Sequence, residues 1–182
     1  MKKPRSYMKP NSTGAAKVVV GVVMGSDSDL EIMQRCAAQL AEFGIGCELR
    51  VISAHRTPDL ACRYARDAAK RGLKVLVAGA GMSAALAGVL AANTTLPVIG
   101  VPIESGSLKG LDALLSTSQM PPGVPVACMA IGAAGAINAG VLAAEILAVG
   151  DAALARRLQQ FKRDQAKKGG RKDAALRTAA GR

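Results

Sequence analysis

Five short apolar runs, several rich in β-branched residues, alternate along the chain with Ala-rich stretches in which apolar residues recur at helical spacing. A strand buried on both faces of a sheet has this continuous apolar character, and strands that alternate with helices form parallel sheets. The pattern therefore predicts an α/β fold, a three-layer αβα sandwich with about five parallel strands. We expect strands at residues 18–24, 47–53, 74–78, 97–101 and 124–130, and helices at about 29–43, 58–71, 84–92 and 133–149.

Polar and helix-breaking residues mark the ends of the first two helices. Ser28 and Glu31 have the S-x-x-E spacing of a capping box, which predicts Ser28 as the N-cap of the first helix. Gly44 is expected to end that helix. Thr57 and Pro58 are typical of an N-cap followed by the first helical residue.

The chain divides into four segments by pattern and charge. Residues 1–17 are a basic N-terminal extension, and residues 18–150 are expected to form one α/β domain. Residues 151–167 predict one more helix, amphipathic through Leu154, Leu158 and Phe161, which we expect to pack on a neighbouring subunit. Residues 168–182 are expected to be a basic disordered tail.

Composition narrows the class of protein. The chain has 182 residues, of which 50% are hydrophobic and only 2% aromatic, so a disordered protein is excluded and the core must consist of aliphatic side chains. No apolar run has the length of about 18 residues that a membrane span needs. The four cysteines are scattered and there is one histidine, which argues against a zinc site and indicates the reducing cytoplasm.

The net charge of +11 is concentrated at the two ends of the chain. Residues 1–17 carry a charge of +5, residues 18–150 carry −1 and residues 151–182 carry +7. Nucleic-acid binding usually needs a basic face on the folded domain and often aromatic side chains for stacking. We therefore interpret the basic ends as solvated tails, with binding of nucleic acid or an acidic partner as the alternative.

In an open parallel sheet the ligand binds beyond the carboxyl ends of the strands, which selects the loops after the first three strands. The first loop is Gly25-Ser26-Asp27-Ser28-Asp29. Its serine hydroxyls and the following helix N-terminus could bind an anion, and an aspartate could accept hydrogen bonds from ribose hydroxyls. Alternatively, Ser28 and Asp29 only cap the helix.

The second loop carries His55, the single histidine of the chain, beside Arg56. Imidazole can give and take protons at neutral pH, and a guanidinium presents a planar set of donors to phosphate. This pair indicates proton transfer on a phosphorylated substrate. A structural histidine is the alternative.

The third loop contains Gly79, Gly81 and Ala84 in the G-x-G-x-x-A spacing of a dinucleotide-binding fingerprint. The spacing follows the third strand rather than the first, and Glu104 is poorly placed to bind a ribose. Close approach of bare backbone to a planar ligand explains the glycines equally well. Nicotinamide binding is therefore disfavoured.

Several motifs in the same order resemble the N5-carboxyaminoimidazole ribonucleotide mutase and aminoimidazole ribonucleotide carboxylase family of purine biosynthesis. The resemblance covers about residues 18–165, and the motifs that carry it are at 24–29, 53–58, 78–81, 97–102, 119–126 and 130–132. It implies a flavodoxin-like fold, a homo-octamer, and no metal or organic cofactor. It also implies a ribonucleotide substrate and carbon dioxide as reactants, and a functional link to the ATP-dependent synthetase that makes the carbamate substrate.

The resemblance also implies roles for individual residues. His55 would be the acid–base residue, Ser26 and Asp29 would bind the ribonucleotide, and Ser53 and Arg56 would hold its phosphate end together with Ser28. The imidazole ring and the migrating carbon dioxide would lie against the third loop. The residues expected to contact them are Gly79, Ala80, Gly81 and Leu86.

One departure from the mutase pattern lies in the third loop. The mutases usually have His-Leu-Pro-Gly where this chain has Ala85-Leu86-Ala87-Gly88. Ser83 matches the sister class, which carboxylates aminoimidazole ribonucleotide directly, whereas Arg56 and the downstream motifs match the mutases. We favour the mutase. Direct carboxylation and a diverged, non-catalytic nucleotide-binding paralogue are the alternatives.

Overall fold

The computed structural model describes residues 17–179, and the predicted basic extension lies outside these residues except for Lys17. The five strands are β1 (Val18–Met24), β2 (Gly46–Val51), β3 (Val75–Gly81), β4 (Val98–Ile103) and β5 (Ala127–Cys128). The helices are α1 (Leu30–Glu42), α2 (Pro58–Ala68), α3 (Leu86–Ala92), α4 (Leu111–Ser118), α5 (Ala133–Ala148) and α6 (Ala152–Ala179), with a 3-10 turn at Asp27–Asp29.

All the strands pair in parallel, in the order β2-β1-β3-β4-β5. This is the flavodoxin-like doubly wound order, in which the strand sequence reverses between β1 and β3. Met24 pairs with both Val51 and Gly79, so the carboxyl ends of three strands meet at one edge. The predicted fold class is confirmed.

Alternate side chains of the strands build a hydrophobic layer on each face of the sheet. Val20, Val22 and Met24 pack with α1, α5 and the start of α6, while Val23 and Leu76 pack on the opposite face with α2 and α3. The helix α4 lies on the same face as α3, because Thr117 and Ala87 both approach Gly100. The result is a sheet covered on both faces, as the continuous apolar runs predict.

Two segments between β4 and α5 differ from the sequence-based expectation. The helix α4 was not predicted, since its apolar side chains do not form one buried face: Leu111 and Leu115 are about half exposed. The fifth strand is only two residues long, whereas the apolar run predicts seven. Pro125 within that run has no N–H to donate to the ladder, which limits pairing.

The first helix is capped differently from the prediction. The Ser26 side chain accepts a hydrogen bond from the Ser28 backbone N–H at 3.3 Å, and Ser26 is the N-cap of the 3-10 turn that leads into α1. Ser28 lies inside this turn. The capping-box assignment was wrong by two residues because the chain enters α1 through a tighter turn.

The C-terminal helix is also longer than predicted. It continues to Ala179, so the expected end at residue 167 and the expected disorder of residues 168–179 were wrong. Ala, Lys and Arg are strong helix formers, and their propensity outweighs the cost of Gly169 and Gly170. Leu154 and Leu158 pack into the core of the same chain, and Phe161 contacts Phe43 edge-on at 5.2 Å between ring centroids.

Candidate active site

A cavity of about 510 Å³ opens at the carboxyl edge of the sheet, where the strand order reverses. Its walls come from the loops after β1, β2, β3 and β4. The lining residues are Gly25, Ser26, Ser28, Asp29, Ser53, Ala54, His55, Arg56, Ala80, Gly81, Met82, Ser83, Ala85, Leu86 and Ser105. Its size is that of a site for a nucleotide-sized ligand.

The first loop presents two hydroxyls and one buried carboxyl to this cavity. The Gly25 N–H donates to the Gly79 carbonyl at 3.1 Å, which extends the β1–β3 pairing into the loop. Asp29 is 8% exposed and accepts a hydrogen bond from the Ser28 hydroxyl at 3.2 Å. Burial raises the pKa of Asp29 above its ordinary value. A buried carboxyl among hydroxyls is suited to accept hydrogen bonds from a ribose diol.

The second loop is held in shape by hydrogen bonds between its two ends. The Ser53 N–H donates to Thr57 Oγ1 at 3.1 Å, and the Thr57 hydroxyl donates to the Ser53 carbonyl at 2.9 Å. The Ser53 Oγ accepts from the Arg56 N–H at 3.1 Å, so the hydroxyl proton of Ser53 is left for another acceptor. This closed turn projects His55 and Arg56 from a fixed backbone.

Arg56 connects the first two loops. Its Nη2 donates to the Gly25 carbonyl at 2.8 Å, and the guanidinium has further N–H groups that can bind an anion. Arg56 is the one lysine or arginine among the residues that line this cavity within residues 17–179. The second loop therefore contributes the positive charge of the site, and His55 stands exposed on the same wall.

The third loop forms an apolar wall. Leu86 is 1% exposed at the start of α3, and Ala80, Gly81 and Ala85 leave room above it. A Cβ on Gly81 would lie 3.0 Å from the Ser105 Cβ and 3.1 Å from the Ile103 carbonyl oxygen, so a side chain here would require its neighbours to shift by a few tenths of an ångström.

The structure brings all but one of the predicted site residues to the cavity. The exception is Gly79, which lies inside β3 and does not line it. A Cβ on Gly79 would lie 2.4 Å from Met33 Sδ, so packing against Met33 alone accounts for a glycine here. It supports the site indirectly, through its hydrogen bond with Gly25.

Met82 and Ser105 also line the cavity but were not singled out as site residues from the sequence. Ser105 lies just after β4, so the rule that ligands bind at the carboxyl ends of strands also applies to it. Met82 has a backbone φ of 53°, which no sequence signal indicates for a methionine.

The geometry first defines a class of protein. A cavity at the reversal point of a flavodoxin-like sheet, lined by serines, one arginine, one buried aspartate and one histidine, is a binding site for a phosphorylated, sugar-containing small molecule with a group available for proton transfer.

Comparisons with known proteins identify the family within that class. Residues 19–168 match the family model described as AIR carboxylase, so the chain belongs to this family. The N5-carboxyaminoimidazole ribonucleotide mutase of Mycobacterium tuberculosis is 54% identical over 163 residues, 90% of this chain and 92% of that protein. The mutase of Bacillus subtilis is 55% identical over 142 residues, 78% of this chain and 88% of that protein.

A solved structure agrees with this assignment. The crystal structure of PurE from Treponema denticola superimposes with a TM-score of 0.79 at 29% identity, covering 88% of this chain and 99% of that one. Within residues 17–179, no helix is both long and apolar enough to cross a membrane.

Proposed function

We propose that the chain is an N5-carboxyaminoimidazole ribonucleotide mutase of purine biosynthesis, which moves a carboxylate from the exocyclic nitrogen of the substrate to carbon 4 of its imidazole ring. The single observation that carries the proposal is the convergence of His55, Arg56 and Asp29 on one cavity in a chain about 54% identical to proteins of that name. The family that the sequence motifs resemble is the family that the comparisons identify.

The polar walls would bind the ribose phosphate. Arg56 has further N–H groups for the phosphate, helped by the hydroxyl proton of Ser53. Ser28 would join them by turning its hydroxyl from Asp29 to the phosphate. Asp29 and Ser26 would bind the ribose hydroxyls from the opposite loop. Because Arg56 donates to the Gly25 carbonyl, phosphate binding would also fix the distance between the two loops.

The apolar wall would receive the imidazole ring and the carbon dioxide. Ala80, Gly81 and Leu86 provide a small, weakly polar compartment next to the histidine wall. Carbon dioxide released there is held close to carbon 4, so that recombination competes with loss to water. Gly79 would contribute only by holding the loop.

His55 would act first as an acid and then as a base. In the first step the carbamate C–N bond breaks, its electron pair stays on the nitrogen, and protonated His55 supplies the proton that makes the amine. In the second step carbon 4 attacks carbon dioxide, a C–C bond forms, and neutral His55 takes the proton from carbon 4. One imidazole thus serves both steps and returns to its starting state.

The proposed role of the histidine is tested by substituting it and measuring turnover of the carbamate substrate. His55→Asn should keep the fold, measured by circular dichroism and the melting temperature Tm, and lower kcat by about 10²- to 10⁴-fold. Lys70→Gln, an exposed change in the turn after α2, is the control and should keep wild-type activity. Retained turnover in His55→Asn would contradict the mechanism.

Ala85 stands where mutases usually have a histidine, so direct carboxylation must also be tested. An assay of the wild-type enzyme with each of the two substrates separates these activities. The wild-type enzyme should convert the carbamate substrate faster than aminoimidazole ribonucleotide with bicarbonate. The reverse preference would make the chain a direct carboxylase. Tight ribonucleotide binding without turnover of either substrate would favour a non-catalytic paralogue.

We further propose that the chain assembles as a homo-octamer in the cytoplasm and takes its substrate from an ATP-dependent synthetase. Leu108, Leu111 and Leu115 support assembly, because each is at least half exposed beside the loop that carries Ser105. Light scattering coupled to size-exclusion chromatography tests the oligomeric state directly. A monomer at micromolar concentration would contradict it.

A further inference from the structure

Met82 occupies an unusual position at the rim of the cavity. It is the first residue after β3, it lines the cavity, and 60% of its surface is exposed. Its backbone φ is 53°, in the left-handed region that side chains other than glycine rarely adopt. Strained backbone of this kind is concentrated at functional sites, where the surrounding structure enforces it.

The backbone on both sides of Met82 is fixed. Gly81 pairs with Ile103 at the end of the β3–β4 ladder and is packed against Ser105. On the other side the Ala84 N–H donates to the Met82 carbonyl at 2.8 Å, and Ala84 is 2% exposed. The left-handed conformation of Met82 is therefore imposed by its neighbours, and the side chain is held at the cavity rim.

An exposed thioether at this place has no packing role in the described part of the fold. The other large apolar side chain of the wall, Leu86, is buried. Exposed apolar surface at the mouth of a polar cavity gains stabilisation when a ligand covers it. Methionine is suited to this, because its flexible, polarisable side chain adapts to planar rings.

We propose that Met82 is a retention residue, whose side chain folds over the imidazole end of the bound ribonucleotide and keeps released carbon dioxide from leaving before it recombines at carbon 4. This inference rests on the proposed mutase function and deepens it. Loss of carbon dioxide would leave free aminoimidazole ribonucleotide, so the defect has a measurable product.

The first experiment measures leakage. Each enzyme converts the carbamate substrate in ¹³C-bicarbonate, and mass spectrometry measures free aminoimidazole ribonucleotide and label in the product. Met82→Ala should raise both by about four- to fifteenfold, the factor expected for one or two methylene groups left uncovered. Met82→Leu should retain wild-type values. Leu176→Ala, an exposed apolar change on the far end of α6, is the control.

A glycine variant guards against loss of folding. Met82→Gly removes the side chain and the unfavourable backbone conformation together, so Tm should not fall, while leakage should match that of Met82→Ala. Wild-type leakage in both variants would overturn the proposal.

The second experiment is independent of turnover. Hydrogen peroxide should oxidise the exposed Met82 before the buried Met24 and Met33, as measured by peptide mass spectrometry. Saturating aminoimidazole ribonucleotide should protect Met82, and ribose 5-phosphate, which lacks the ring, should not. Equal protection by both, or by neither, would overturn the placement over the ring.

The two experiments separate the proposals. A wild-type enzyme that does not convert the carbamate substrate refutes the mutase, whereas the oxidation pattern still decides whether Met82 covers the ring. Protection without turnover would support the contact while removing the mutase function.

Discussion

Gly79→Ala tests whether this glycine serves packing or ligand binding. A Cβ at residue 79 would lie 2.4 Å from Met33 Sδ, 2.9 Å from Met33 Cγ and 3.0 Å from Ile103 Cδ1. Met33 is 0% exposed and Ile103 is 3% exposed, so neither side chain can move into solvent. The new methyl group must therefore displace buried neighbours or shift β3.

The expected cost follows from overpacking of a buried site. Inserting a methyl group into a well-packed core lowers the free energy of unfolding by about 1–3 kcal/mol. For a chain of this size, each kcal/mol corresponds to about 2–4 °C in Tm, so Tm should fall by about 2–12 °C. The KM for the ribonucleotide should stay close to the wild-type value, because Gly79 does not line the cavity.

The assay is a double-mutant cycle with Met33→Ala. Met33→Ala alone should lower the free energy of unfolding by about 2–5 kcal/mol, since it empties a buried site. The double variant should be more stable than the sum of the two losses predicts, by about 0.5–3 kcal/mol, because the added methyl group fills part of that space. Ala68→Gly in the buried part of α2, which packs on the face of the sheet opposite Met33, serves as the uncoupled control.

Two results would refute this reasoning. Additive losses in the cycle would mean that the methyl group does not contact Met33. A large rise in KM with unchanged Tm would mean that Gly79 lines the ligand after all, as the sequence predicted.

Three further substitutions test the roles of individual charged side chains, two in the cavity and one on β2. Arg56→Lys should raise KM by about 10- to 100-fold because lysine cannot hold both the phosphate and the Gly25 carbonyl; unchanged KM in steady-state assays would exclude the phosphate role. Asp29→Asn should weaken ribonucleotide binding in calorimetry while Tm at pH 7 stays equal or rises, because burial raises the pKa of Asp29 and its charged form is costly; a lower Tm would contradict this. Burial acts to raise the pKa of Glu48, but hydrogen bonds from Tyr64 and Arg71 outweigh it, so the pKa lies below its ordinary value of 4.5. The ionised Glu48 therefore stabilises the fold above about pH 4.5, and this stabilisation is lost as the pH falls below that value. The Tm gap between wild type and Glu48→Gln should therefore close in scans below about pH 4.5, and a constant gap would disprove the linkage.

Much of the site could be predicted from the sequence because its residues lie on short loops that directly follow strands. Ser26, Asp29, His55 and Arg56 each follow a predicted strand within a few residues. Once the strands are placed, the parallel sheet brings these loops together at one edge. Periodicity and topology together therefore select the three loops, and the resemblance to the family supplies the individual residues within them.

The sequence by itself determined the alternation of strands and helices, the two-sided burial of the sheet and the edge at which ligands bind, since these depend on local patterns of apolar residues. Only the tertiary structure decided that Gly79 contacts Met33 and that Met82 takes a left-handed conformation. It also decided that α6 packs on its own chain through Leu154 and Phe161. Each of these depends on atoms far apart in the chain, whose approach is fixed by packing and leaves no periodic trace in the sequence.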